Sequence, residues 1–131
     1  MNIVITLPQT LIKAILEGDK AVEVRSTKPR FFDPEKDRVY VVTKGMKKVT
    51  MYFEVTHFEK VTDIAECYRK YGAKMGVPYL WYKMYALTKK TIYLWHIGNV
   101  VKLCDPLRLD DDLGVNVAPQ SFEYIVSPEY S

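Results

Sequence analysis

In the stretch Gly18-Asp19-Lys20-Ala21-Val22-Glu23-Val24-Arg25, residues alternate in character from Ala21 onward. A two-residue period is that of a β-strand, so Val22 and Val24 point to one face while Ala21, Glu23 and Arg25 point to the other. Just upstream, Pro8-Gln9-Thr10 opens a short helix whose apolar stripe is Leu11, Ile12, Ile15 and Leu16, and Gly18 stands where a helix-terminating glycine belongs. Before it, Ile3 to Leu7 is β-branched and apolar, a first strand. The stretch is therefore a helix end followed by a strand, with Lys20 at the strand's mouth and Glu23 and Arg25 sharing a face.

Downstream, Lys28-Pro29-Arg30 and Asp33-Pro34-Glu35-Lys36-Asp37 read as a long charged loop. Arg38 to Thr43 and Thr50 to Phe58 read as strands joined through Lys44-Gly45-Met46-Lys47-Lys48. Asp63-Ile64-Ala65-Glu66 has the pattern of a capping box, and Ile64, Cys67, Tyr68 and Tyr71 follow at helical spacing up to Gly72. A further helix starts at Pro78 with Leu80, Trp81, Met84 and Leu87 expected inward. Thr91 to Leu103 is apolar on both faces, as a central or barrel strand would be. Asp105-Pro106 and Asp110-Asp111-Asp112 mark a loop, and Pro119 to Ile125 reads as a last turn and strand. The order β-α-β-β-β-α-α-β-β predicts an α+β fold: a small, mixed but mostly antiparallel β-barrel decorated by short helices.

Composition narrows the class of molecule. At 131 residues the chain is expected to form a single domain over 1–131. Its 48% hydrophobic and 27% charged residues exclude a disordered tail, a coiled coil and a collagen-like repeat. No apolar run is long enough to cross a bilayer, and the N-terminal residues lack a signal peptide's basic start and long apolar middle. Cys67 and Cys104 are the only cysteines, and no CxxC or Cys/His ligand spacing is present. Two buried thiols in a reducing cytoplasm are therefore expected, with no metal and no cofactor. His57 and His96 each lie in an apolar strand and read as satisfied core residues. The nucleotide motifs GxGxxG and GxxxxGK[ST] and the GxSxG elbow are missing.

The net charge of +3 conceals an uneven distribution. Residues 20–48 carry nine Lys and Arg against four acids, whereas residues 104–131 carry Arg108 alone against six acids. The basic stretch is interleaved with Phe31, Phe32 and Tyr40, the mixture that phosphate neutralisation and base stacking would use. Tyr79, Trp81, Tyr82 and Tyr85 crowd one short helix; at that spacing aromatics usually build core, with one or two lining a pocket. The charges of Lys20, Glu23 and Arg25 can bind a polar ligand. They can also transfer protons, with Glu23 as base and Lys20 polarising a carbonyl. Spacing is equally compatible with an exposed strand face, on which each ion pair contributes about 0.2–1 kcal/mol.

In order along the chain, these pieces resemble the ASCH domain family of the PUA-like superfamily. That family's G-x-K-x-x-E-x-R stretch is matched by Gly18, Lys20, Glu23 and Arg25, and its basic continuation by Arg25 to Arg30. Asp37-Arg38-Val39-Tyr40 with Thr43-Lys44 resembles its D-R-V-Y strand, and Met51-Tyr52-Phe53-Glu54-Val55 its G-x-F-E-V strand. Gly76-Val77 and Tyr79 to Tyr85 look like the end of its helical insert and its aromatic helix. Pro106-Leu107-Arg108-Leu109 and Ala118-Pro119-Gln120-Ser121-Phe122-Glu123-Tyr124 are similar to its closing segments.

The resemblance implies a pseudo-barrel with a positively charged cleft for RNA, a nucleotide or a modified nucleoside. Lys20, Arg25, Lys28, Arg30 and Lys44 would meet phosphates, and Glu23 would accept from a base's exocyclic amine. Tyr40 or Trp95 would offer a stacking face, and Gln120 and Ser121 would close the cleft. The alternative it implies is an enzyme: an RNA nuclease, or an amidohydrolase of the kind that deacetylates N4-acetylcytidine. In the latter branch a Lys and a Thr of this stretch act with a downstream Glu. The Lys falls on Lys20, Glu23 occupies the Thr position, and Glu54, Glu59 and Glu66 are candidates for the third group. A carboxylate does not replace a hydroxyl nucleophile. Lys20 and Glu23 would then be the catalytic pair.

Overall fold

A computed structural model describes residues 1–125. The elements are β1 (Asn2–Leu7), α1 (Gln9–Leu16), β2 (Val22–Arg25), β3 (Val39–Thr43), β4 (Lys48–Lys60), α2 (Ile64–Tyr71), a 3₁₀ turn (Gly72–Lys74), α3 (Tyr79–Thr88), β5 (Tyr93–Arg108) and β6 (Phe122–Ile125). All six strands form one sheet in the order β2-β5-β4-β3-β1-β6. Only β1 and β3 run parallel; every other pairing is antiparallel.

Both faces of the sheet are covered, which is why β3, Val-Tyr-Val-Val-Thr, is buried at every position. On one face Ile3, Ile5, Val39, Val41, Met51, Phe53 and Trp95 pack with Ile12 and Ile15 of α1. On the other, Val4, Tyr40, Val42 and Val49 pack under Leu109, Leu113 and Val115. A third cluster joins Val22, Val24 and Leu94 to Cys67 of α2, Met75, and Tyr82 and Ala86 of α3. The two-faced reading of β2 is thus realised: Val22 and Val24 go to the helices, while Glu23 opposes the buried Trp95.

Three expectations are corrected. Among the described residues the sheet does not close into a barrel: β2 and β6 are its two edges, with no ladder between them. In α3, Leu80, Met84 and Leu87 are more than half exposed and Trp81 nearly so, whereas Tyr82 and Ala86 are buried. This helix is apolar almost all the way round, so periodicity does not select its inner face. Tertiary contacts do, because Tyr82 packs on Tyr68 and donates its hydroxyl to the Ile64 carbonyl at 2.8 Å. Finally, Asp105-Pro106 is not a loop but part of β5. A large bulge accommodates the proline, since Met51 pairs with Lys102 while Val49, two residues away, already pairs with Leu107.

Both cysteines are free, Cys67 buried as expected but Cys104 exposed. Among the described residues no helix is long and apolar enough to cross a membrane.

Candidate functional site in the open seam of the sheet

The gap between the two edge strands is a cleft of about 400 Å³. Its walls include Thr6, Leu7 and Pro8 at the end of β1, Leu11 of α1, Lys20, Glu23 and Arg25, Lys44 after β3, and Gln120 before β6. Met75, Val77, Trp81 and Tyr85 complete it from the helical side. This size suits a single small polar ligand.

At its base, Lys20 and Glu23 are almost fully buried. The Lys20 ammonium donates to the Val22 carbonyl at 2.7 Å and the Met75 carbonyl at 2.5 Å, and lies 3.0 Å from Glu23 Oε1. These three acceptors account for all three N–H groups of an ammonium. The other carboxylate oxygen, Oε2, accepts from Arg25 Nε and lies equally close, 2.8 Å, to Nη2. Burial pushes the Glu23 carboxyl up, but the charges and hydrogen bonds of Lys20 and Arg25 outweigh it and hold the group below its ordinary value. Glu23 is therefore an ionised, fully engaged acceptor and a weak base at neutral pH.

Arg25 is the outer end of this chain. Its Nη1 donates to the Ser121 carbonyl at 2.9 Å, so one guanidinium spans from edge strand β2 to the segment entering β6. Thr6 helps on the opposite wall by donating to the Pro119 carbonyl at 2.8 Å. The seam is thus held by side chains where a ladder is missing, which leaves room for a ligand.

Gly76 shapes the floor. It lies at φ +75, and a Cβ there would come within 3.0 Å of the Lys20 side chain and 3.3 Å of Leu11. Gly76→Ala is expected to cost about 1–2 kcal/mol from the left-handed backbone alone. It should also displace Lys20, and urea denaturation should show the lost stability.

The residues named from the sequence separate into groups. Lys20, Glu23, Arg25, Lys44 and Gln120 line the cleft, and Ser121 meets Arg25 through its backbone. Lys28 and Arg30 instead line a second, open groove with Thr56, His57, Phe58 and Tyr93. Lys28 Nζ stands 5.7 Å from the centre of the Tyr93 ring there. Trp95 and Tyr40 offer no stacking face. Trp95 is fully buried with its indole N–H on the Thr27 carbonyl, and Tyr40 packs in the second core cluster.

The aromatic wall of the cleft is Trp81 and Tyr85; the sequence places Trp81 inward and allows one or two aromatics of this helix to line a pocket. Their rings are stacked on each other at 5.0 Å and 9°, four residues apart on α3. The crowding of aromatics in α3 was the available signal, but it did not say which ring faces out. Of the three glutamates considered for a third catalytic group, none lines the cleft.

An open, mixed α+β sheet with a polar cleft at its seam defines the structural class. Residues 5–104 match the profile of the ASCH domain, and the chain belongs to that family. Among solved structures, the ASCH protein of Zymomonas mobilis is similar at a TM-score of 0.81 and 20% identity, over 98% of this chain and 90% of that one. A serine-to-alanine variant of it is similar at 0.81 and 19%, and a tyrosine-to-phenylalanine variant at 0.80 and 20%. No curated protein matches the sequence.

Proposed function

We propose that this ASCH domain binds single-stranded RNA or a nucleotide, with one nucleoside unit in the seam cleft. The observation that carries this reading is the pairing, in one cleft, of the cations Arg25 and Lys44 with the stacked aromatic wall of Trp81 and Tyr85. Cations for phosphate and a flat apolar face for a base are the two elements that single-strand recognition needs. Gln120 adds an amide that can both donate and accept. Beyond Arg25 the chain runs directly into Ser26–Arg30, which lines the second groove, so Lys28 and Arg30 continue the basic track for a longer strand.

The same geometry argues for binding over catalysis. Lys20 has no lone pair to spare while its three N–H groups are bonded, and Glu23 is held below its ordinary value. Their work is to fix Arg25. Fluorescence anisotropy with short labelled RNAs should therefore show binding at low salt. Chromatography after incubation with RNA and with N4-acetylcytidine should show no product. Turnover that disappears in a Lys20→Met variant still folded by circular dichroism would establish the hydrolase instead. Absence of RNA binding at low salt would leave an interaction domain with no nucleic-acid role.

A further inference from the structure

On the sheet face opposite Glu23, β4 and β5 bring together two histidines that lie far apart in the sequence. His57 pairs directly with His96 across the ladder, and Glu59 follows two residues after His57 on the same face. His96 opposes Val22, the neighbour of Glu23, so it projects away from the cleft. A bulge at Thr56 sets this register: Val55 pairs with Ile97, yet His57, two residues on, pairs with His96.

The two imidazoles are stacked at 4.2 Å and 11°, and His96 Nε2 lies 2.8 Å from Glu59 Oε1. One ligating atom from each of His57, Glu59 and His96 falls within 4.8 Å of the others. Neighbouring groups orient the set, as the outer shell of a metal site does. Thr56 Oγ1 is 3.0 Å from His57 Nδ1, which leaves Nε2 as the outward nitrogen, and the Tyr71 ring meets His96 edge-on at 4.9 Å. Lys70 of α2 is exposed, with its ammonium 5.1 Å from the Tyr71 ring, and can turn away from the set.

We infer that His57, His96 and Glu59 form a binding site for a borderline divalent transition-metal ion such as Zn²⁺. Two imidazoles and one carboxylate suit Zn²⁺, Co²⁺ or Ni²⁺ better than Mg²⁺ or Ca²⁺, which prefer all-oxygen shells. The ion replaces whatever proton His96 and Glu59 share; at ordinary metal–ligand distances and tetrahedral angles that pair opens to roughly 3.4 Å. The exposed His57 turns out of the stack to supply the third donor. Three protein ligands leave an open position for water or for a group bound in the second groove, whose wall His57 also forms. The site staples β4 to β5 and does not rest on the RNA-binding proposal, although His57 borders the groove assigned there to a longer strand.

The test is titration of the untagged chain with Zn²⁺ by calorimetry and with Co²⁺ by visible absorption. One ion per chain is expected, with Co²⁺ bands free of thiolate charge transfer and a Zn²⁺-dependent rise in Tm. His57→Ala and Glu59→Gln, each checked for folding by circular dichroism, should weaken binding at least tenfold and abolish the rise. No binding at micromolar metal, binding that survives both substitutions, or binding that moves with Cys104→Ser would overturn the assignment. RNA binding at low salt should be the same in Glu59→Gln, which lines neither groove, and in the unsubstituted chain, so failure here and failure of the RNA reading can be told apart.

Discussion

Replacing Glu23 by alanine is expected to cost about 3–5 kcal/mol of folding stability, the range found when one partner of a buried ion pair is removed. The Lys20 side chain is only 1% exposed, and Glu23 is the negative charge that compensates it. Without the carboxylate, Lys20 keeps two carbonyl acceptors but remains a buried charge, and Arg25 loses the acceptor of both its Nε and Nη2 contacts. Lys20→Met should cost less, because Glu23 retains Arg25. The double variant Lys20→Met with Glu23→Leu should recover much of the loss, since the charge and its counter-charge leave together. Urea denaturation of the unsubstituted protein, Lys20→Met, Glu23→Leu and the double variant closes the cycle and gives the coupling directly. Its sign also follows from pH. The folded Glu23 pKa lies below the ordinary 4.5, so its contribution is fully present above that value and fades as pH falls toward the folded pKa. Acidification below about pH 4.5 should therefore lower the urea midpoint of the natural protein more than that of Glu23→Gln. Equal pH dependence of the two would show that Glu23 is not the buried anion described.

What could be read in advance followed local chemistry. Alternation over Ala21 to Arg25 correctly separated the Val22 and Val24 face from the Glu23 and Arg25 face, because a strand's side-chain period needs no knowledge of its neighbours. The D-x-x-E cap likewise held, with the Glu66 N–H donating to Asp63 Oδ1 at 3.0 Å. The features that stayed hidden are those set by register or by edges. Whether β2 meets β6 depends on how two strands of 13 and 16 residues bend through their bulges, which no short pattern records. The His57–His96 pairing rests on one inserted residue, Thr56, in that same ladder. A helix apolar all round, such as α3, conceals its inner face for a related reason: burial is decided by the partner. Hence Trp81 was placed in the core and the buried Trp95 in the cleft, when the structure exchanges them. The open seam is the common thread, because an unclosed sheet is what gives Lys20, Glu23 and Arg25 a cavity to face.

Binding of a short single-stranded RNA should fall about fifty-fold when monovalent salt rises from about 50 to about 200 mM. This figure follows from four phosphate contacts, at Lys28, Arg30, Lys44 and the Lys20–Glu23–Arg25 group, which keeps one net positive charge, and a slope of about −0.7 per contact on a log–log plot. Lys28, Arg30 and Lys44 are exposed and make no ion pair shorter than 4 Å among the described residues, so their charge is available to a ligand. Lys28→Ala and Arg30→Ala should each reduce the slope by about 0.7 and weaken binding most at low salt. Trp81→Ala should behave differently. Loss of a stacking face costs about 1–3 kcal/mol per base and carries no counterion release, so affinity falls while the slope stays put. Trp81→Ala also removes the stack on Tyr85, so its denaturation midpoint falls somewhat; binding measured where the variant remains fully folded assigns the affinity loss to the ligand. Anisotropy titrations at several salt concentrations separate the two signatures. A slope near zero would remove the phosphate contacts from the proposal. Unaltered affinity in Trp81→Ala would remove the aromatic wall, and with it the reason to seat a base in the seam.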